Sequence, residues 1–347
     1  MTDDMYKRVD AQRLTSLIGD LYGRLGMPAE QASFMGQCLV DADLRGVHSH
    51  GSRWAPTYAK GLRSGGINAK AQPRVVRDEG ATAIVDGEKG VGHIAVSFAM
   101  DLAIRKAKEF GNATVSIRNN GHCGAMAYYT QQAADAGCIG FAATTGGTMI
   151  APWGGLDRRV GLNPISWAAP TGRGFSYNLD MAPSVVAGSK VEMAIARGER
   201  IPPDWAYDGE GNPTEDPNIA RQEGTLAPIG GPKGVGLGIA AEILCAALSG
   251  GRYGEGQSER GGGQMVQAID IEHFQPLEEF KARMDRMVDS LKTSRVKPGN
   301  AGIFLPGELE YQRRQEYLER GIPLDQPTRA SLQQAAEEAG LQYDIER

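Results

Sequence analysis

The chain has 347 residues, 41% of them hydrophobic and 23% charged, a globular balance with enough length for two ordinary domains. A formal net charge of −5, with no block of Lys or Arg, excludes the electrostatic footprint of a nucleic-acid binder and favours a small-molecule partner. Cys38, Cys123, Cys138 and Cys245 are scattered without a CxxC pair, which argues against a disulfide framework or a thiolate zinc site. The start, MTDDMYKRVDAQRLT, has no apolar core of a signal peptide, and no stretch approaches the roughly 18 apolar residues of a membrane span. A cytoplasmic protein with reduced thiols is expected, with no nucleic-acid or membrane partner.

Residues 9 to 45 carry helical spacing (Leu14, Ile18, Leu21, Leu25, then Ala32, Met35, Leu39, Ala42), interrupted at Gly26, Met27 and Pro28. Two helices are predicted, leading directly into RGVHSHGS. A third segment around Tyr58 and Leu62 is followed by SGGINAKAQP, whose loop chemistry marks a domain boundary. From Val75 to about 275, short β-like runs (ATAIVDG, ATVSIRNN, IGFAATT, ISWAAP, FSYNLDMA, GQMVQAID) alternate with helical ones at 94–110, 125–137 and 236–249. A mixed α/β (α+β) domain follows. The Gly-, Pro- and acid-rich run from about 198 to 234 predicts a long irregular surface excursion. Beyond 276, helical patterns return at 280–291, 309–319 and 327–339, around PGNAGIFLPGE.

Of five histidines, His48 and His50 lie together in HSHG beside Arg45, Ser49 and Gly51. An imidazole titrating near ~6.5 is suited to proton transfer at neutral pH, and an adjacent hydroxyl can orient it. The structural alternative is a helix C-terminus capped by Gly51. His122, in RNNGHCGA, follows a β-like run and precedes a helix, a turn that presents backbone N–H groups with a reactive side chain; a capping histidine is the alternative. Asp180 ends FSYNLDMA between apolar Leu179 and Met181, so its carboxylate needs partners. Ser49, His50 and Asp180 would make a proton relay, whereas a helix N-cap would satisfy the carboxylate alone. Lys233 and the glycines of GGPKGVGLG precede an apolar helix, a layout fit either for an anion or for close packing on a sheet. Neither GVGLG nor GEKGVGH reproduces the dinucleotide-binding GxGxxG in its βα context, and no metal motif occurs, so a Rossmann domain and a metal centre are not expected.

In order along residues 10 to 340, DLRGVHSHG, GLRSGGIN, IRNNGHCGAMAYY, MIAPWGG, GLNPI, LDMAPS, IPPDWAYDGEGNPTEDP, GGPKG and LPGE resemble the landmarks of the malate/L-lactate dehydrogenase superfamily, with HSHG most like its ureidoglycolate branch. The resemblance implies a helical domain from both chain ends (1–75 with 276–347) and an NAD(P)-binding domain (76–275) with a mainly antiparallel sheet of non-Rossmann type. It also implies a homodimer and hydride transfer between NAD or NADP and the α-carbon of a small 2-oxo or 2-hydroxy carboxylic acid, or alternatively C=N reduction of a cyclic imino acid. By position, Ser49 and His50 match the family's Ser-His pair, Asp180 its relay carboxylate, and His122 a histidine that accepts the proton in some members. Residues implied at the cofactor are His122, Cys123, Gly124, Ala125, Met126, Gly146, Asp180, Met181, Ala182, Lys233, Gly234, Pro306, Gly307 and Glu308. Those implied at the substrate are His48, Arg53, Trp54, Thr144, Thr145 and Arg260. The chain departs from the pattern in several places. Trp54 stands where most relatives have a carboxylate-binding arginine, with Arg53 one position earlier. Thr144, Thr145 and Gly146 replace Thr-Asn-Ser, Leu162 interrupts GTNP, and Pro183 replaces a threonine. A bulky aromatic in place of a bidentate cation predicts a larger or less charged substrate.

Overall fold

The computed structural model describes residues 6–251, 253 and 262–347. After β1 (Tyr6–Val9), the Asp10 carboxylate caps α1 (Ala11–Arg24) by accepting from the N–H groups of Gln12 and Arg13 at 2.9 Å. Gly26, at φ +87°, turns the chain, and α2 (Ala29–Leu44) begins behind Pro28. Both helices bury the apolar residues whose spacing predicts them, except that Leu25 falls just past the end of α1 and is only partly buried. With α3 (Ala55–Arg63) they enclose a core of Leu14, Ile18, Met35, Leu39 and Tyr58 that also takes in Ile322, Leu332 and Ile345 from the other end of the chain.

The central sheet begins with β2 (Arg74–Glu79) and β3 (Thr82–Asp86), then crosses through α4 (Gly92–Phe110) to β4 (Asn112–Asn120). After α5 (Ala127–Asp135), β5 (Cys138–Thr144) runs towards a small ladder of β6 (Thr148–Ile150) with β7 (Val160–Gly161). β8 (Ile165–Ala169) and β9 (Tyr177–Met181) form a hairpin that leads to α6 (Gly188–Arg197). The run expected to be irregular holds structure of its own: β10 (Ala206–Tyr207), α7 (Pro217–Gln222) and β11 (Thr225–Leu226). Its Ile201, Ala206, Ala220 and Leu226 pack with Val186 and Val191, while the Arg158 guanidinium donates to the carbonyls of Ala220, Arg221 and Gly224. Those few apolar residues, spaced by prolines and glycines, suffice for a satellite core that periodicity does not reveal.

After α8 (Pro232–Glu242), continued by a π-type turn at Ile243–Ala247, comes β12 (Gly262–Asp270), inserted between β4 and β5. The seven-stranded order is β2-β3-β4-β12-β5-β8-β9, and only the β3–β4 pair is parallel. The sheet is therefore mostly antiparallel and not doubly wound. Strand alternation puts Val115, Ile117 and Ala142 on the face covered by α4 and α5, and Phe141, Ala143 and Met265 on the face that takes in Ala241 and Cys245. α9 (Leu277–Lys292) buries only Val288, while α10 (Glu308–Arg320), β13 (Ile322–Asp325) and α11 (Gln326–Glu338) return to the first core, where β13 pairs with β1. β1, β2 and β13 escape sequence reading: β2 is exposed at all six positions, and a four-residue ladder joining chain ends has no local pattern. No helix among the described residues is long and apolar enough to cross a membrane.

Candidate active site

Between α2 and α3 the chain makes two 3-10 turns, His48–His50 and Ser52–Trp54. The buried Asp43 carboxylate organises both, meeting His48 Nδ1 at 2.9 Å and accepting from Ser52 N–H at 2.7 Å. A Cβ at Gly51 would fall 2.1 Å from Asp43 Oδ1. Gly51 does close the His48–His50 turn, donating its N–H to the His48 carbonyl at 3.3 Å, but at φ −91° it is not left-handed, and glycine is required there for space over the Asp43 carboxylate. Trp54 closes the loop by donating from Nε1 to the Ser49 carbonyl at 2.8 Å.

Within this frame Ser49 Oγ lies 2.9 Å from His50 Nδ1. His50 stacks on His122, ring centroids 6.0 Å apart, and Trp54 stacks on His122 at 4.6 Å. His122 Nδ1 meets the Tyr58 hydroxyl at 2.5 Å. His93, 3% exposed in the first turn of α4, packs edge-on against Tyr58 and has no hydrogen-bond partner for Nδ1. Opposite, Asp180 near the end of β9 accepts from Ala127 N–H at 2.8 Å, so the carboxylate caps the start of α5 from another strand. The N-cap alternative thus has a physical basis here, while Asp180 also lines one cavity of about 580 Å³ with Ser49, His50, Trp54 and His93.

Burial sets the protonation states. Desolvation, then the Arg53 charge, lowers the His50 imidazole below the usual histidine range. Desolvation, then His50, pushes His122 down to about 4; desolvation, then His122 and His50, takes His93 to about 3. Three imidazoles this close resist sharing more than one proton, and His50 is the one displaced least. Asp180 moves the other way: desolvation raises its carboxyl to about 6, against the lowering effects of Ala127 N–H and Arg45. Asp180 lines the cavity with part of its surface exposed and His122 keeps exposed surface beside it, where water moderates desolvation, so the chemistry rests on the directions of these shifts.

Gly124, Ala125, Met126, Met181, Ala182, Pro306 and Gly307 line the same cavity. A second cavity of about 870 Å³ adjoins it, sharing Asp41, Arg45, Tyr128, Asn178, Gly307 and Glu310. At Gly147 a Cβ would meet nothing within 4 Å, and the start of α6 at Gly188 and Ser189 reaches the cavity with no side-chain cap. Bare backbone and free helix N–H groups suit an anionic, extended ligand, so the residues present fit a nicotinamide dinucleotide.

Other expected site residues sit elsewhere. His48 is held by Asp43 and stacked on Tyr317. The Thr144 hydroxyl donates to the Thr145 carbonyl, Thr145 Oγ1 exchanges bonds with Gly263, and Gly146 N–H donates to Asn163 Oδ1. Cys123 is buried against Met126, and its thiol is pushed up to about 12 by burial. Glu308 is buried, pairs with the exposed Lys292 and receives Leu305 N–H, so it shapes the turn that presents Pro306 and Gly307. Lys233 is exposed, and a Cβ at Gly234 would fall 2.6 Å from the Ile229 and Pro183 carbonyls, which is the close-packing alternative. Arg53 is half-buried near His50, and Arg260 lies outside the described residues. Sequence reading misses Asp43, Tyr58, His93 and the α6 start. The available signal for His93 is the last glycine of GEKGVGH: a Cβ at Gly92 would fall 2.4 Å from the Gly121 carbonyl and 2.6 Å from that of His122, so Gly92 packs the start of α4 onto the His122 loop.

This non-Rossmann sheet, with stacked imidazoles and a perturbed carboxylate beside a dinucleotide-sized cleft, defines a nicotinamide-dependent dehydrogenase acting on the CH–OH group of hydroxy acids. The malate/L-lactate dehydrogenase family model matches residues 9–333, and the chain belongs to that family. It is 39% identical to a malate dehydrogenase of Pyrococcus horikoshii, over 98% of both chains, and a solved malate dehydrogenase from that organism superposes with a TM-score of 0.90 at 36% identity, covering 99% of this chain and 98% of that one. Ureidoglycolate dehydrogenase (NAD(+)) of Escherichia coli K12 is 32% identical over 91% of this chain and 92% of its own. The structure of a delta1-piperideine-2-carboxylate reductase from Pseudomonas syringae matches with a TM-score of 0.85 at 29% identity, covering 95% of this chain and all of that one.

Proposed function

We propose that His50 carries the proton in a hydride transfer between NAD or NADP and the α-carbon of a small 2-oxo or 2-hydroxy carboxylic acid. The observation that carries this reading is the Ser49 Oγ to His50 Nδ1 contact at the wall of the cavity. With Nδ1 engaged by Ser49, Nε2 is the nitrogen left for substrate. When bound, the nicotinamide supplies or receives the hydride. In reduction His50 gives a proton to the carbonyl oxygen as that oxygen gains negative charge; in oxidation neutral His50 takes the hydroxyl proton. The downward shift of His50 favours the neutral form at neutral pH, so the oxidation direction starts from the right state. Asp180 supports the transient imidazolium from across the cavity, and His122, held neutral, contributes hydrogen bonding.

Gly124 to Met126, Met181, Ala182, Pro306 and Gly307 hold the cofactor in this reading, between a sheet body of 76–275 and a helical body of 1–75 with 276–347. Arg53 or Arg260 meets the substrate carboxylate while Trp54 shapes its far end. A second reading, C=N reduction of a cyclic imino acid, is favoured by the likeness to the piperideine-carboxylate reductase. Exposed Leu237, Ile239, Ile243 and Leu248 along α8 and its π-type turn supply an apolar face for a homodimer, and four free, buried cysteines suit the cytoplasm. Turnover of oxo, hydroxy and imino acids with each cofactor separates the two readings. His50→Ala is expected to lower kcat by ~10² to 10⁴ with cofactor binding by fluorescence nearly intact. Wild-type turnover in His50→Ala, with collapse in His122→Ala, transfers the proton role to His122.

A further inference from the structure

We propose that Tyr58 is a positioning residue that locks His122 in the tautomer with its proton on Nε2, so that His122 meets substrate only as a neutral hydrogen-bond donor. The inference rests on the reading above for its catalytic meaning, and on geometry for the lock itself. The Tyr58 hydroxyl lies 2.5 Å from His122 Nδ1, and no other hydrogen-bond partner of that hydroxyl is found among the described residues. Two arrangements satisfy the distance. If Nδ1 carried the proton, the buried tyrosine hydroxyl would accept it and leave its own proton unpaired, the costly arrangement for a buried donor. If Tyr58 donates, both groups are satisfied. Burial also drives the Tyr58 hydroxyl well above the usual tyrosine range, so it always has a proton to give.

The surroundings reinforce the lock. Trp54 and His50 hold the plane of the His122 ring by stacking at 4.6 and 6.0 Å, which fixes where both nitrogens point. The titratable groups around the pair are His50 and His93 beside it, and Tyr129, Tyr22, Cys38 and Cys123 around Tyr58. Each of the last four is buried and raised by desolvation, so none competes as a proton source. A donor aimed at Nδ1 stabilises neutral imidazole over imidazolium. Tyr58 thereby divides the labour of two stacked histidines: His122 cannot accept a proton at Nδ1 while that lone pair is occupied, and the proton that moves in the reaction is left to His50.

The test is nitrogen NMR of histidine-labelled, ligand-free enzyme, with the His122 signals assigned by their loss in His122→Gln. The expected result is an unprotonated Nδ1 and a protonated Nε2 across neutral pH. Tyr58→Phe, which keeps the ring and removes only the hydroxyl, is expected to show mixed tautomers and a higher His122 titration midpoint. Its kcat is expected to fall about tenfold, the scale of one hydrogen bond, with KM little changed and the acid limb of the pH profile moved to higher pH. A proton on Nδ1 in the wild type overturns the proposal, as does a Tyr58→Phe variant whose tautomer and pH profile match the wild type. Should the variant not fold, the wild-type tautomer decides alone. A locked tautomer together with an active His50→Ala enzyme would refute the proton assignment and leave the lock standing.

Discussion

Replacing Asp180 by asparagine should make stability less sensitive to pH, because the fold holds this carboxylate at a cost. Its carboxyl rises from 3.8 to about 6 because burial outweighs the Ala127 N–H and the Arg45 charge. At about 1.4 kcal/mol per tenfold, that rise would amount to about 3 kcal/mol for a carboxylate sealed from water. Asp180 is open to cleft water, so screening reduces the expected effect to about 1 kcal/mol. The sign follows from linkage. A folded-state value above the unfolded one favours the protonated form in the fold, so the relative stability is fully present below about pH 4 and is lost as pH rises through about 6. Asparagine has no such transition. The stability of Asp180→Asn minus that of the wild type, by urea unfolding of the ligand-free enzyme, should therefore increase by about 1 kcal/mol between pH 4 and pH 7.5. The altered cap at Ala127 adds only a pH-independent offset. A difference that stays flat, or falls as pH rises, would refute the claim that burial dominates at Asp180.

Trp54→Arg removes both the stack on His122 and the Nε1 bond to the Ser49 carbonyl, so kcat should fall while preference moves towards small dicarboxylates. An unchanged substrate profile in turnover assays would show that Arg53 or Arg260 already holds the carboxylate. Gly124→Ala should destabilise by about 1–3 kcal/mol, since Gly124 has φ +69° and its Cβ would sit 2.5 Å from His93 Nε2. The clash contributes if thermal unfolding shows partial recovery when His93→Ala is added; no recovery would assign the whole effect to backbone strain. Gly51→Ala drives a methyl into the Asp43 carboxylate and should lower kcat more than it weakens cofactor binding, measured by fluorescence titration, because the collision disturbs the Ser49–His50 loop.

Much of this is legible along the chain because its cause is local. The α1–α2 pair announces itself through Leu14, Ile18, Met35 and Leu39, since each helix buries one stripe, and six β-like runs become strands of the central sheet. Ser49 and His50 are readable as a unit because they are neighbours, and the absence of a GxGxxG turn agrees with a sheet that is not doubly wound. Where a partner lies far along the chain, composition has nothing to say. Insertion of β12 between β4 and β5, and the pairing of β1 with β13 from opposite ends of the chain, depend on backbone partners far apart in sequence. The same holds inside the site: Tyr58 meets His122 across 64 positions, and Asp180 reaches Ala127 across 53. The resemblance makes Thr144 and Thr145 pocket hydroxyls, yet their bonds go to backbone: Thr144 donates to the Thr145 carbonyl, and Thr145 bonds both backbone groups of Gly263, which the long-range pairing of β12 brings beside the end of β5.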